Sequence, residues 1–413
     1  MAESTDVPLI TTRADLDELV RHLRDVGRFA FDTEFVSEDT LEPVLCLVQV
    51  ATEDRLAAID PIALRDVRSF WDVVVDPAVE IVMHAASEDL RICRFQTGEV
   101  PSRLFDVQIA AGFLGFGYPL SLGNLMSQTM QVSVFGGETR TDWRRRPLTP
   151  AQLRYAMDDV RYLLPLADRL AAELTALGRR AWVEDEFQGF LADLQSRSEE
   201  GRWRKLPGLH QLNRRGLECA RRLADWRYEE ARRQNRPIRQ VVRDDLLVAI
   251  AKRQPATRQE LEALRDFNRP HLISKGPEIL AAISDALAVP GEELPEHAGR
   301  HDDGPGVTMI VSLLAAALAT CCAKSRVAPG IVGTTSDLKD LLRWHTQGRP
   351  AATRPALAGG WRGEVCGDVL LDVLAGRRTL RVTDPEADVP VAVETPEPAR
   401  GLLRNSTGEA GGS

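Results

Sequence analysis

Apolar and polar positions along the chain fall into two regimes. From about Val7 to Gln195, short runs of β-forming residues alternate with stretches at helical spacing. Arg28–Phe35, Leu45–Ala51 and Arg55–Ile59 are such runs, separated by turn signals, and they predict a three-strand meander. Glu80–His84 predicts another strand, and Ser87 is placed to cap a helix after it. Asp15–Val26 is helical in pattern ahead of the first strand. Thr149-Pro150-Ala151-Gln152 marks a helix start, with Thr149 as N-cap, Pro150 in the first helical position and Gln152 closing a capping box. Pro165 predicts a kink or an end to that helix.

From about Asn213 to Leu287 the pattern is helical throughout. LECARRLADWRYEEARRQ is a long amphipathic stretch, followed by shorter ones with Pro, Gly and Asn between them. The resulting organisation is an α/β domain over 1–195, a helical domain over 208–290, a Pro/Gly/acid-rich linker over 291–306, a second helical domain over 307–382 and an irregular tail over 383–413.

Composition narrows the class. The 413 residues exceed one typical domain, and 44% hydrophobic with 27% charged residues fits a soluble protein. Cysteines 46, 93, 219, 321, 322 and 366 show no CxxC spacing, which argues against a zinc site or a disulfide framework and for thiols in a reducing cytoplasm. MAESTDVPLI has none of the basic and apolar blocks of a signal peptide. Met309–Ala323 is expected to be a buried helix rather than a membrane span, being short and Ala-rich. The net charge of −9 hides a contrast: residues 201–260 carry 16 Lys and Arg against 7 Asp and Glu, which leaves −18 for the rest. A local basic module fits phosphate binding, and equally a solvated Arg-rich surface.

The candidate chemistry lies in three segments. Asp32 and Glu34 in FAFDTEF are two apart on a predicted strand, so they share a face, while Phe29, Phe31 and Phe35 occupy the other. Neighbouring half-buried carboxylates repel unless a cation lies between them; the alternative is that one is a solvated strand-edge acid. Asp89 in MHAASEDL opens a helix, where acids are common for electrostatic reasons alone. Tyr155 and Asp159 are one helical turn apart on one face, with Asp158 turned about 100° away. Together these residues can hold divalent cations beside a phosphodiester, with Tyr155 orienting the attacking water. Oxygen-only donors suit Mg²⁺ or Mn²⁺. Asp106 is expected to be a helix cap rather than a further ligand.

FDTEF, HAASEDL and YAMDDVRYL, in this order and spacing, resemble the motifs of the DEDD exonuclease superfamily, and TDWRRRPLTPAQLRYAMDDV resembles its ribonuclease D branch. The resemblance implies a ribonuclease H-like fold, a mixed central sheet flanked by helices, and 3′-to-5′ hydrolysis releasing nucleoside 5′-monophosphates. It implies Asp32, Glu34, Asp89 and Asp159 as ligands of two divalent metal ions and Tyr155 as the water-orienting residue. The histidine branch would place its residue at Arg154, so the chain is of the tyrosine type. Asn213–Leu287 resembles the HRDC domain, and 307–382 a second, diverged one. Arg227, Arg232, Arg233 and Lys252 are then candidate phosphate contacts, each with a solvated surface as the alternative. Trp143 and Arg146 lie in a loop that either borders the substrate entrance or packs on itself. The expectation is a cytoplasmic, monomeric 3′-5′ exoribonuclease with no membrane attachment, acting on tRNA precursors or other structured RNA with a 3′ tail. The rival readings are a DNA 3′-5′ exonuclease on the same fold and a catalytically inactive RNA-binding protein.

Overall fold

The computed structural model describes residues 8–132, 141–196, 199–296 and 304–396. Six strands form one mixed sheet: β1 (Leu9–Ile10), β2 (Arg28–Val36), β3 (Val44–Ala51), β4 (Leu56–Ile59), β5 (Glu80–Met83) and β6 (Leu104–Asp106), in the spatial order β1-β4-β3-β2-β5-β6. The expected meander is β2-β3-β4, antiparallel throughout, whereas β5 and β6 continue parallel to β2. β2 is therefore central, paired on both edges.

Strand alternation gives β2 two different faces. Phe29 and Phe31 point into an aromatic cluster with Phe70 and Trp71 of a short helix, α2, which follows the longer α1 (α1, Arg13–Val26; α2, Arg68–Val74). Ring centroids lie 5.6 Å apart for Phe31–Phe70 and 5.1 Å for Phe70–Trp71, both edge-on. Each such pair contributes about 0.5–1.5 kcal/mol beyond area burial, which fixes β2 from below. Leu16, Leu19 and Leu23 of α1 complete this layer. Gly27 ends α1 at φ +66 and donates its N–H to the Leu23 carbonyl; that left-handed turn lets the chain enter β2 at the next residue.

After β5 the chain forms α3 (Ser87–Thr97). The other face of the sheet is covered by α4 (Pro150–Arg161), where Ala156 and Met157 pack with Leu47 and Ala58. Pro165 does not kink this helix. The break falls at Tyr162, and Pro165 occupies the first turn of α5 (Leu163–Ala176), where its missing N–H removes no helical bond. α6 (Arg180–Ser196) follows, and then the helical module: α7 (Arg214–Gln234), α8 (Asp244–Arg253) and α9 (Gly276–Ala288) enclose Leu217, Leu223, Leu247, Phe267, Ile279 and Ile283. Leu41, from the loop between β2 and β3, packs on this helical core, and Glu42 N donates to Asn235 Oδ1 at 3.3 Å.

A second unit comprises Ala111–Pro119 and Asp303–Ser413. Its helices are α10 (Pro305–Ser325), α11 (Thr335–Thr346) and α12 (Asp368–Leu374). Trp361 is buried against Phe113, centroids 4.6 Å apart. Two expectations need correction. The irregular tail was placed from 383, yet Val391–Glu394 forms a strand, β8, antiparallel to β7 (Thr379–Val382). VAVE has β-forming residues at alternate positions, a signal too short to stand out among the Pro and Glu around it; residues 397–413 lie outside the described set. The Met309–Ala323 run is longer as a helix than it looks in sequence, 21 residues, which by length and composition alone is enough to cross a membrane. Only one of its faces is buried, through Val311, Leu314, Leu318 and Cys322, while Met309, Ile310 and Leu313 are exposed.

Candidate active site

Three elements converge at the carboxyl end of β2. Asp32 and Glu34 lie on the face opposite the phenylalanines, and a register shift between Glu34 and Phe35 bends the strand just beyond them. Such bulges re-aim side chains beside functional sites. From α4, the capping box forms as expected: Thr149 Oγ1 accepts from Gln152 N at 3.2 Å, and Gln152 Oε1 accepts from Thr149 N at 2.9 Å. Fixing that helix start sets the rotation of Tyr155 and Asp159, whose side chains hydrogen-bond to each other. Asp32, Glu34 and Asp159 each present a carboxylate oxygen, and these three atoms lie within 4.8 Å of one another.

Asp89 enters from α3 and is 6% exposed. It accepts a hydrogen bond from Thr33 Oγ1. It stands outside the tight triangle, but its charge bears on both Asp32 and Glu34. Ser87 was expected to cap α3; it is instead the first helical residue and makes no cap bond. No side chain caps α3; the turn ahead of it is held by Asp106, from the next strand. Its carboxylate, 1% exposed, accepts from the backbone N–H groups of Ala86 (2.9 Å), Gln108 (2.8 Å), Ala85 (3.3 Å) and Ile109 (3.3 Å). Ala85 is held at φ +56, a conformation costly for a residue with a Cβ, and this turn delivers Asp89 to the cluster. Sequence spacing suggested a cap at Asp106 but not that it would also clamp a turn some 20 residues upstream.

The electrostatics follow from crowding. Burial, then the charges of Asp89, Asp159 and Glu34, hold the Asp32 carboxyl well above its ordinary range. Burial and the Asp159 and Asp89 charges push Glu34 to about 8. Burial lifts Asp159 to about 7 against the opposing Tyr155 hydrogen bond. Burial lifts Asp89 to about 6, with the Thr33 hydroxyl opposing. Clustered oxygens that resist ionisation without positive charge fit a hard divalent cation.

The proposed nucleic-acid contacts divide. Trp143 is 2% exposed and sits in the core beneath α4, its ring 6.2 Å from that of Tyr155. Arg146 is held within the protein: Nε and Nη2 donate to Asp60 Oδ2 and Oδ1 at 2.6 and 2.8 Å, and Nη2 also donates to the Cys46 carbonyl at 2.7 Å. Burial alone would raise the Asp60 carboxyl; Arg146 and the amides of Ala63 and Ile62 outweigh it and hold it below its ordinary value. This ion pair went unseen in sequence because its partners are 86 residues apart. Arg227 is likewise internal, 6% exposed and paired with Asp244 at 2.8 Å. All three side chains are engaged within the protein, although Arg227 also lines a cavity with Trp203, Arg221 and Tyr228. Arg233 is exposed but bonded to Glu230 and, at 3.4 Å, Glu278. Arg232 and Lys252 are exposed.

Known proteins share this arrangement. Residues 7–175 match the family described as 3'-5' exonuclease, and residues 216–283 match the HRDC domain. Fold and site therefore define a 3′-5′ exonuclease of the DEDD class that carries an HRDC domain, and that class works with divalent metal. The ribonuclease D of Musicola paradisiaca (strain Ech703) is 34% identical over 370 residues, 89% of this chain and 98% of that protein. The ribonuclease D of Escherichia coli (strain K12) is 31% identical over 367 residues, with the same coverage of 89% and 98%. A crystal structure of E. coli RNase D matches with a TM-score of 0.78 at 31% identity, over 90% of this chain and 99% of that one. The chain belongs to the ribonuclease D family. Its enzyme class is that of a 3′-5′ exoribonuclease.

Proposed function

We propose that this chain trims structured RNA, such as tRNA precursors, one nucleotide at a time from the 3′ end, using two Mg²⁺ or Mn²⁺ ions held by Asp32, Glu34, Asp89 and Asp159. The observation that carries this reading is the triangle of carboxylate oxygens from Asp32, Glu34 and Asp159, within 4.8 Å of one another and beside Tyr155. E. coli RNase D is described as an exoribonuclease involved in structured RNA processing, which supports the substrate class.

The cations, when bound, supply positive charge against the scissile phosphate and the departing 3′-oxygen. The protein's own groups do the rest. Asp32 and Glu34 project from a strand paired with β3 along its length and with β5 at its start. Thr33 holds Asp89 by its hydroxyl. Tyr155, hydrogen-bonded to Asp159, holds the attacking water in line with the phosphorus. Arg232 and Lys252 on the helical module meet RNA phosphates. The helices of 307–382 form a second, diverged module of the same kind; in support, each begins with a helix of 21 residues followed by shorter ones.

The test is a 5′-labelled hairpin RNA with a single-stranded 3′ tail, incubated with Mg²⁺ or Mn²⁺. A ladder shortening from the 3′ end and release of 5′-monophosphates are expected. Intact RNA would turn the reading to a binding protein, and faster shortening of the matched DNA would turn it to a DNA exonuclease.

A further inference from the structure

Gln49 lies in the row of the sheet that contains Asp32. The register pairs Asp32 with Gln49 across β2 and β3, and Gln49 with Ala58 across β3 and β4. Directly opposed residues of an antiparallel pair share a face, with Cβ atoms about 5 Å apart. Gln49 therefore projects from the same face as the catalytic carboxylates. It is 0% exposed, and neither Nε2 nor Oε1 has a hydrogen-bond partner.

That is an unstable condition for an amide. Most buried polar groups are hydrogen-bonded, because an unmet donor loses its water and gains nothing. The surroundings of Gln49 are mostly apolar, although the cluster beneath α4 also holds the unpartnered indole N–H of Trp143. Ala58 is its other row neighbour, Leu47 and Ala51 flank it on the same face of β3, and the covering helix α4 brings Ala156 and Met157. The polar side chain in its row is Asp32. Asp32 lies beside Glu34 and Asp159, with a carboxylate oxygen of each within 4.8 Å of one another. A rotation about the Gln49 side-chain bonds would bring Nε2 to an Asp32 oxygen, giving the amide an acceptor.

We propose that Gln49 is a positioning residue: its amide donates to one oxygen of the Asp32 carboxylate and leaves the other oxygen aimed at the cation. The inference rests on Asp32 being a cation ligand. An apolar residue at position 49 would bury as well and cost less, so the amide points to a polar partner on this face, and the residue directly opposite is Asp32.

The experiment compares the full-length wild type with Gln49→Met, which keeps the length and removes the donor, and with Leu47→Met as a control on the same face. Mn²⁺ uptake is measured directly by calorimetry, with folding checked by circular dichroism. Gln49→Met is expected to bind Mn²⁺ about tenfold more weakly while Leu47→Met binds as wild type, since a hydrogen bond to a charged group is of that order. In RNA turnover, kcat falls and KM is unchanged. Uptake by Gln49→Met equal to wild type overturns the inference alone. A wild type that takes up no Mn²⁺ overturns the cation reading and this one with it. A crystal structure of Mn²⁺-loaded wild type needs no substitution: Gln49 Nε2 at about 3 Å from an Asp32 oxygen supports the proposal, and any longer separation without a hydrogen bond overturns it.

Discussion

Removing divalent cations and raising the pH should loosen the active site in a calculable way. Unfolded, Glu34 titrates at its ordinary 4.5; in the cluster it holds its proton to about 8. The native state therefore binds more protons than the unfolded state across that window, and stability falls as pH rises through it. Each unit corresponds to about 1.4 kcal/mol, so ionising Glu34 in the metal-free cluster costs up to about 5 kcal/mol by pH 8. Asp159, displaced from 3.8 to about 7, shares the same repulsion and is not counted again. Of the Glu34 cost, about 2 kcal/mol falls between pH 6 and pH 8. The chain has several domains, so a local measure is better than one global unfolding curve. Amide hydrogen exchange of Arg28–Val36 and Pro150–Arg161, corrected for intrinsic rates, should in chelator show local opening rising roughly fifty-fold from pH 6 to pH 8. Saturating Mn²⁺ should abolish the rise, and Asp159→Asn should flatten it. Protection that stays level or grows from pH 6 to pH 8 in chelator would refute the reasoning, as would protection that Mn²⁺ does not restore.

Other substitutions separate catalysis, architecture and binding. Asp32→Asn should reduce turnover at least about 10³-fold with RNA affinity retained, by single-turnover kinetics and filter binding. Tyr155→Phe should slow turnover by about 10–100-fold, the worth of a charge-linked hydrogen bond, without changing Mn²⁺ uptake. Arg146→Ala leaves Asp60 buried and unpaired, so urea unfolding should show a loss of about 3–5 kcal/mol, while the folded fraction binds RNA as wild type. The double change Arg232→Ala and Lys252→Ala should weaken RNA binding evenly across sequences and lower the salt slope of log affinity by about 1–2.

Much of this protein was legible along the chain because its signals are local. The period-two run FAFDTEF determines that Asp32 and Glu34 share a face and that the phenylalanines oppose them, since alternation is a property of any strand. Thr149-Pro150-Ala151-Gln152 determines where α4 begins, and so that Tyr155 and Asp159 face one way. What depends on distant partners was hidden. Nothing near Arg146 announces Asp60, and nothing near Arg227 separates a partner to Asp244 from a hand held out to RNA; both look like basic surface until burial is known. Ser87 seemed the natural cap of its helix, yet the helix has no side-chain cap and the turn ahead of it is held by Asp106 from a neighbouring strand.

The sequence by itself determined the local geometry of each catalytic segment and the family to which the chain belongs. Only the tertiary structure decided that β2, α3 and α4 meet, that the row beside Asp32 holds an unsatisfied amide, and which arginines face inward. The physical reason is range: periodicity and capping act over one or two turns of chain, whereas burial and charge coupling depend on what the fold brings within a few ångströms.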